Sequence, residues 1–347
     1  MRPRYLQIIG PVGAGKTCTC VRFGDMFEER AKKLSLDLKH LHVNLRLLGG
    51  SRVVLYRNIV QQATPEVYSA SLSAEELLYH LVNHLKATKK YLLFTLDEID
   101  YFLNLSKDSR VIYDLTRLDE IAGPGKPCGV LGVIFTARGK DFHKKLDEAE
   151  LSSLGRVPLE LEPYTSKQIY DIIKQRASEA FNAGRLTDEV MEYIADITGG
   201  PTVKGDIRYA LDLLLFSGTL AEHEGASRVT AENVRTVVSR TLPTITTEDV
   251  VDLPEKGKLV LLAIARSLKS KKTSYTSLRE IRGTLGVVCE ERSAKVFEDV
   301  EENVEDLADR GIVDVKSLTE VGISGVPVEK LSAFLDDLIS RVKDTIA

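Results

Sequence analysis

The sequence predicts an α/β fold with a parallel sheet in the first half of the chain and a mainly helical second half. Residues 5–9 (YLQII) and 91–96 (YLLFTL) are short apolar runs, which is typical of parallel strands buried on both faces. Each run is followed by a polar or glycine-rich segment and then by apolar residues at helical spacing. From residue 163 onward only helical spacing continues for a long stretch. An open α/β sheet followed by helical domains is therefore expected.

Composition and charge limit the class of protein. The 347 residues are enough for two or three domains, and 43% hydrophobic with 28% charged residues is typical of a globular chain. The net charge of −4 gives no general attraction for nucleic acid, so any such site must be local. Without a signal peptide or an apolar run that could span a bilayer, we expect a cytoplasmic protein without a membrane partner. The four cysteines have no metal-binding spacing and are interpreted as reduced buried thiols: Cys18, Cys20, Cys128 and Cys289.

Residues 10–17 (GPVGAGKT) match the phosphate-binding pattern GxxxxGK[ST] at every fixed position. They lie between the first strand and a helical pattern that begins with Val21, Met26 and Phe27. Backbone N–H groups of such a loop surround phosphates, Lys16 is expected to reach the β- and γ-phosphates, and the Thr17 hydroxyl is expected to ligate Mg²⁺. The alternative, a plain glycine turn, does not require the complete match. The residues predicted to bind nucleotide are Pro11, Val12, Gly13, Ala14, Gly15, Lys16, Thr17 and Cys18.

The second half of this site is predicted where the strand at 91–96 ends in Asp97 and Glu98. Ligands of an open α/β sheet bind at the carboxyl ends of its strands. Asp97 is expected to complete the Mg²⁺ ligands, and Glu98 to orient and deprotonate the attacking water. The alternative for either carboxylate is an acidic helix N-cap. A capping box of Ser73 and Glu76 begins the preceding helix.

A third strand at residues 129–136 ends in Thr136, a candidate polar sensor of the phosphate. A capping box of Thr165 and Gln168 then starts a helical region, with further helices at about 187–197, 204–215 and 230–240. Residues 243–253 are rich in Thr and Pro, which favours a linker. Three helical stretches and a short β-like segment follow, in the order of a winged helix.

Seven segments, in this order, match one family: GPVGAGKT, HVNLR, LDEIDYFL, YDLTRL, LDEAELSSLG, PYTSKQIYDIIKQRASEAF and GDIRYALDLL. The chain resembles the archaeal replication initiators, the origin-recognition (Orc/Cdc-six type) AAA+ ATPases, over nearly its whole length. The resemblance implies an AAA+ base domain (1–160), a helical lid (161–242), a linker (243–253) and a winged-helix domain (254–347) that binds origin DNA. It also implies ATP or ADP with Mg²⁺ as ligands.

The resemblance assigns Arg208 as the second sensor, which reaches from the lid to the γ-phosphate; the alternative is a solvated helix arginine. Thr136 stands where the family has a polar amide. Glu150 and Leu151 precede SSLG, where the family has a basic arginine finger, and Arg156 is displaced. Because such a finger contributes about 10³ to 10⁵ in rate, slow hydrolysis is expected. Nine residues precede Gly10, so the preference for adenine rests on the resemblance alone.

The charges of the last domain favour DNA binding in one segment and oppose it in the next. Residues 255–295 contain ten basic and four acidic residues, and we predict a phosphate-contacting cluster of Lys269, Lys271, Lys272, Arg279 and Arg282. Residues 296–310, the expected recognition helix, contain seven acidic residues and one basic residue. Its buried face is predicted at Val296, Val300, Val304 and Leu307, and the wing at 317–325 contains no Lys or Arg. The domain is therefore a weak DNA binder or a protein-binding module, unless the charges form a solvated face.

A second DNA site follows from the resemblance, because the family inserts a DNA-contacting helical element after the second motif. The matching segment, 101–126, offers Lys107, Arg110, Arg117 and Lys126. The alternative for Arg117 is an ion pair with Asp114 or Asp119.

We favour an ATP-binding replication initiator that binds origin duplex DNA, with slow hydrolysis as a conformational switch. A paralogous initiator or the replicative helicase is the expected protein partner, and the location is nucleoid-associated. The main alternative is a divergent regulatory paralogue that holds nucleotide and binds a protein through its winged helix. An unrelated AAA+ motor, such as a clamp loader, is disfavoured by the missing finger and by the winged helix.

Overall fold

The computed structural model describes residues 3–64, 71–106, 110–123, 126–155, 157–242 and 245–346, with side chains up to residue 340 in the last helix. The chain divides into two compact units, residues 1–163 and 164–347. Among the described residues, no helix combines the length and the apolar character needed to cross a membrane.

The first unit is built on a five-stranded parallel sheet with the strand order β2-β3-β4-β1-β5. The strands are β1 (Arg4–Ile9), β2 (Leu38–Asn44), β3 (Tyr91–Asp97), β4 (Val130–Ala137) and β5 (Leu159–Glu160). The helices are α1 (Lys16–Lys33), α2 (Arg52–Ala63), α3 (Ala74–Thr88), α4 (Ile99–Leu105), α5 (Val111–Thr116), α6 (Leu118–Ala122) and α7 (Glu148–Leu154), with 3₁₀ turns at Leu45–Leu47 and Lys140–Lys145. The three strands expected from the sequence are confirmed as β1, β3 and β4.

The register of the sheet gathers the ends of its strands at one edge. Ile9 pairs with Ala137, and Asn44 pairs with Asp97. The phosphate-binding loop after β1 therefore lies at the same edge as the carboxylates after β3, as expected for parallel strands.

Helix α1 forms where it was predicted, but it packs with a different face. Val21 and Met26 are 39% and 55% exposed, whereas the buried residues include Cys20 and Gly24. A Cβ on Gly24 would lie 1.8 Å from His40 Nδ1, so the helix approaches β2 closely only because that position has no side chain.

The second unit contains a lid of four helices followed by a winged helix. Its helices are α8 (Ser166–Ala180), α9 (Asp188–Gly199), α10 (Ile207–His223), α11 (Ala231–Thr241), α12 (Thr247–Val251), α13 (Glu255–Lys271), α14 (Leu278–Glu291), α15 (Val300–Asp309) and α16 (Val328–Ile346). Its strands β6 (Tyr275–Ser277), β7 (Asp314–Ser317) and β8 (Glu320–Gly322) form an antiparallel sheet in the order β6-β8-β7. The order α13-β6-α14-α15-β7-β8 is that of a winged helix with α15 in the recognition position.

Several boundaries differ from the sequence prediction. The predicted helix at 204–215 begins at Ile207 and continues to His223. The predicted acidic helix at 296–310 begins only at Val300, and Val296 is 59% exposed instead of buried. Residues 245–253, predicted as part of a linker, include α12, and Val250 joins the core of the winged helix. The two predicted capping boxes, at Ser73 and Thr165, are confirmed.

Candidate nucleotide-binding site

The loop between β1 and α1 has a backbone that glycine makes possible. Gly13 and Gly15 have φ angles of 76° and 81°, in the left-handed region that other residues rarely adopt. At Gly10 the backbone passes so close to β5 that a Cβ would lie 2.4 Å from the Leu161 carbonyl oxygen. Gly15 caps α1 without a side-chain hydrogen bond, so the first N–H groups of the helix are not capped by a side chain. Such a terminus binds phosphate.

The predicted loop residues differ in exposure. Pro11, Val12 and Cys18 are exposed, whereas Ala14 is buried. The Lys16 ammonium donates hydrogen bonds to the carbonyl oxygens of Gly10 at 2.7 Å and Pro11 at 2.8 Å. Its charge is therefore held over the loop. The exposure of Cys18 corrects the expectation of four buried thiols; Cys20, Cys128 and Cys289 are buried, and all four are free.

The loop and the end of β3 meet through Thr17 and Asp97. The Thr17 hydroxyl donates a hydrogen bond of 2.6 Å to Asp97 Oδ2. Thr136, at the end of β4, donates to Asp97 Oδ1 and accepts the Glu98 backbone N–H at 3.0 Å. A hydroxyl can fill both roles, since it has one donor and two acceptor positions. Four predicted site residues are thus joined by hydrogen bonds.

The environment of Asp97 keeps it ionised. Burial raises the pKa of this carboxyl, but the contacts with His42, Thr136 and Thr17 outweigh burial and lower the pKa to about 2. His42 Nε2 lies 3.4 Å from Asp97 Oδ2, which is longer than the two hydroxyl contacts of this carboxylate. At neutral pH the site therefore presents a negative charge beside a hydroxyl.

Glu98 has a partner that the sequence prediction missed. It adopts a left-handed conformation (φ 64°, ψ 51°) at the start of α4, where its side chain makes no cap hydrogen bond. Instead, Glu98 Oε2 accepts a hydrogen bond from Arg46 Nε, and the Arg46 guanidinium lies 4.6 Å from the centre of the Tyr101 ring. The available signal was the position of Arg46 just after β2, which is adjacent to β3. Glu98 thus occupies the N-cap position of α4, as the alternative expected, but its side chain does not cap the helix.

The donor set at Thr17 and Asp97 fits Mg²⁺. This ion prefers oxygen ligands and is usually bound by one or two protein groups together with phosphate oxygens. One hydroxyl and one ionised carboxylate, 2.6 Å apart, supply such groups. Among the described residues there is no cluster of three or more His, Cys, Asp or Glu side chains that would hold a metal without phosphate.

The remaining nucleotide-site predictions concern Arg208 and the arginine finger. Arg208 lies in the second unit, exposed at the start of α10, where Asp206 caps its backbone N–H at 3.0 Å. Its role at the phosphate stays a prediction. Glu150, at the place of the finger, is 4% exposed and forms the capping box of α7 with Asp147. A structural carboxylate thus stands where a cation was expected from the family; Arg156 lies outside the described residues.

In the first unit, the predicted DNA-contacting residues are near the helices α5 and α6. Arg110 and Lys126 are exposed. Arg117 lies 4.4 Å from the centre of the Tyr113 ring and donates a 3.0 Å hydrogen bond to Glu120. Asp114, one of its expected partners, instead accepts hydrogen bonds from Arg52 and Tyr56. Lys107 lies outside the described residues.

In the winged helix, most of the predicted basic cluster is engaged in ion pairs. Three of its members have carboxylate partners: Lys269 with Glu329 at 3.7 Å, Lys271 with Glu280, and Arg282 with Glu301. Lys272 and Arg279 are exposed and have no side-chain partner among the described residues. The local excess of positive charge is therefore smaller at the surface than the sequence count indicates.

Two family profiles match the chain. A profile of AAA domains matches residues 1–146, and a profile of Cdc6 AAA+ ATPase-type lid domains matches residues 170–239. These matches cover the nucleotide site and the helical lid described above.

Similar proteins and structures agree with these profiles. An ORC1-type DNA replication protein from Desulfurococcus amylolyticus is 33% identical over 276 residues, which is 80% of this chain and 68% of that protein. Another, from Thermococcus kodakarensis, is 29% identical over 76% of this chain and 62% of its own length. The crystal structure of Cdc6p from Pyrobaculum aerophilum superposes with a TM-score of 0.83 at 27% identity, covering 98% of this chain and 88% of that chain. The Aeropyrum pernix ORC1 protein in complex with DNA gives 0.58 at 26% identity, covering 99% and 89%.

Proposed function

The chain belongs to the family of archaeal ORC1-type (Cdc6) AAA+ DNA replication proteins, and from this premise we propose that it binds ATP with Mg²⁺ and attaches to duplex DNA at replication origins. Solved relatives include ORC1 bound to DNA, which supports the DNA part of the proposal. The 2.6 Å hydrogen bond between Thr17 and Asp97 carries the nucleotide part, because it joins the two halves of the phosphate site.

The residues of the site have separate tasks in this proposal. Lys16 and the N–H groups of the loop and α1 hold the β- and γ-phosphates. Thr17 and Asp97 hold the Mg²⁺, which neutralises phosphate charge when bound. Thr136 fixes the carboxylate of Asp97 and the backbone of Glu98 in one arrangement. Nucleotide phosphates compete for Lys16 with the carbonyl groups of Gly10 and Pro11.

Hydrolysis is proposed to be slow, with nucleotide occupancy as the switch. Glu98 is the proposed base for the attacking water, and its Oε2 accepts a hydrogen bond from Arg46. In the described segment 148–155 no cation stands where the family has its finger, and Glu150 serves α7 instead. Without such a finger, turnover lacks a contribution of about 10³ to 10⁵.

The test combines nucleotide and DNA binding by the full chain. Fluorescence anisotropy with labelled duplex DNA is measured in ATP and in ADP over a salt series, for the parent protein, Lys16→Ala and the matched surface variant Lys33→Ala. We expect the affinity for DNA to fall steeply with salt, because phosphate contacts release counterions. We also expect this affinity to differ between ATP and ADP in the parent and in Lys33→Ala, but not in Lys16→Ala. Nucleotide dependence that survives in Lys16→Ala would contradict the proposal.

The acidic recognition helix favours a second candidate function. In this version the chain holds nucleotide but engages a protein through its winged helix, as a regulatory paralogue. Absence of DNA binding at low salt, together with intact nucleotide binding, would select it.

A further inference from the structure

An apolar groove opens on the winged helix beside the start of α15. Its cavity measures about 410 Å³ and is lined by Arg282, Leu285, Val296, Phe297, Glu298 and Val300. Val296 is 59% exposed, so an apolar side chain faces solvent at this groove. Exposed apolar surface in a concave site is typical of a docking position for a partner side chain.

Unpaired carboxylates continue from the groove along α15. Glu302, Glu305 and Asp309 are exposed and follow one another at intervals of three and four residues, which places them on one face of the helix. Glu298 stands at the edge of the groove. In the part of the chain that the structure describes, none of these four side chains has a hydrogen-bond or ion-pair partner. We refer to Glu298, Glu302, Glu305 and Asp309 as the acidic face.

Three cations close to this region already have partners, whereas Lys295, just before the groove, is exposed without a partner among the described residues and can offset only one of the four carboxylates. Arg282 pairs with Glu301, Arg310 pairs with Asp306 at 2.9 Å, and Lys256 pairs with Asp299 at 2.7 Å. Local cations therefore balance the other acidic residues of the segment but leave most of the acidic face unbalanced.

The wing adds no positive charge on this side. Lys316, in the first strand of the hairpin, lies 3.2 Å from Glu192 and 3.5 Å from Asp196 in the lid. The tip residue Leu318 is 96% exposed and apolar. A duplex laid against α15 would thus bring its phosphates to uncompensated carboxylates, which repel them.

We propose that the groove and the acidic face dock a Lys/Arg-rich segment of a protein partner, with an apolar side chain of that segment inserted beside Val296. The proposal deepens the proposed function and rests on it, because it assigns a partner to the winged helix of the same initiator. Basic side chains spaced by three and four residues along a helix match the carboxylates in sign and spacing. DNA contact is then left to other surfaces of the chain, such as that around Arg117.

The two parts of the surface have different roles. Exposed ion pairs are individually weak, so the carboxylates mainly select a basic partner and steer its approach. The apolar insertion removes nonpolar surface from water and supplies most of the affinity. Both parts are therefore needed, and each can be changed separately.

The test uses a short fluorescein-labelled peptide of Lys and Ala with one central Leu, and a second peptide in which Ser replaces this Leu. Anisotropy titrations with the full chain compare the parent protein, the double variant Glu302→Lys/Glu305→Lys, and Val296→Ser. The charge-matched control is Asp171→Lys/Asp212→Lys, since these two carboxylates are exposed on lid helices without a partner among the described residues. All five substituted residues are exposed, so the variants are expected to fold, and ATP binding of each variant verifies this.

We expect the double variant to weaken binding of the Leu peptide by about tenfold or more, and the control to leave it within about twofold. Val296→Ser should weaken the Leu peptide but not the Ser peptide. Equal binding of the Leu peptide by the parent and the double variant would show that the proposal is wrong. So would a loss of duplex-DNA affinity in the double variant, because α15 would then contact DNA. If the parent fails to bind ATP, the proposed function fails; if ATP binds and the peptide does not, only this inference fails.

Discussion

Arg235 Nε donates a 2.7 Å hydrogen bond to the carbonyl oxygen of Ile323, across the boundary between the lid and the winged helix. The guanidinium is 1% exposed and also donates to the carbonyl oxygens of Thr273 and Ser274, both at 3.0 Å. The hydroxyl of Tyr193, on α9, donates to the same Ile323 carbonyl at 2.7 Å. A buried charge with this many partners fixes the two subdomains of the second unit in one arrangement.

Replacing Arg235 by Met tests this connection. The variant keeps much of the side-chain volume but leaves buried carbonyl groups without a donor, and breaking such a buried charged network costs about 3–5 kcal/mol. We expect the free energy of unfolding of the second unit to fall by this amount in urea denaturation of the full chain, followed by circular dichroism.

The control for this prediction is Arg176→Met, because Arg176 is exposed and pairs only with Glu179 three residues away among the described residues. Its effect should stay within about 0.5 kcal/mol. If the two variants were equally stable, the Arg235 contacts would be shown to contribute little.

Glu98→Gln tests the assignment of the base. The amide keeps the shape of the side chain but cannot accept a proton, so kcat for ATP hydrolysis should fall by about 10²- to 10⁴-fold, while the Kd for ATP changes little. Hydrolysis is measured by phosphate release and binding by calorimetry. The exposed Glu29 of α1 provides the control Glu29→Gln, which should change neither value. A large rise in Kd with unchanged kcat would instead assign Glu98 to binding.

Local sequence patterns predicted the residues of the nucleotide site better than they predicted the residues that hold the site and the subdomains in place. The loop at 10–17 and the carboxylates after β3 are short, contiguous signals, and the structure brings them together. The partner of Glu98 is Arg46, which is distant in sequence, and Arg235 contacts a residue 88 positions away. Arg46 ends the HVNLR segment, but that segment does not indicate its partner, and Arg235 belongs to none of the segments that carry the resemblance, so only the folded chain shows these contacts.

Periodicity also gave wrong assignments for physical reasons. Val296 fits the helical spacing of Val300, Val304 and Leu307, but the chain is irregular before Val300 and leaves Val296 exposed at the groove. In α1 the packed face includes Cys20, Gly24 and Ala31, small residues that produce no strong hydrophobic signal. Because α1 packs closely against a neighbouring strand, small residues occupy its packed face instead of larger apolar residues.

Asp97 should make the stability of the first unit depend on pH in the acid range. Its folded pKa of about 2 lies below the value of about 3.9 for an unfolded Asp, so the unfolded state binds more protons between these values. The associated stabilisation is present above about pH 4 and is lost as pH falls toward 2, with a size of about 2–3 kcal/mol. Urea denaturation of the parent and of Asp97→Asn between these pH values isolates this contribution as the difference between the two profiles. If the free energies of unfolding of the two proteins changed with pH in the same way, the pKa of Asp97 would not be lowered by folding.

Two glycine-to-alanine substitutions in helices should have opposite effects. At Gly24 a new methyl group would meet His40, whose ring is held by the Thr95 hydroxyl at 2.9 Å, so Gly24→Ala should destabilise the first unit by about 1–3 kcal/mol. At Gly283 in α14 nothing lies within 4 Å of the added Cβ, and alanine should stabilise the second unit by about 0.5–1 kcal/mol through helix propensity. Thermal and urea denaturation of the two variants measure both effects. Stabilisation by Gly24→Ala would mean that α1 does not require its close approach to β2, and hence that the packing which positions Lys16 and Thr17 tolerates a larger residue.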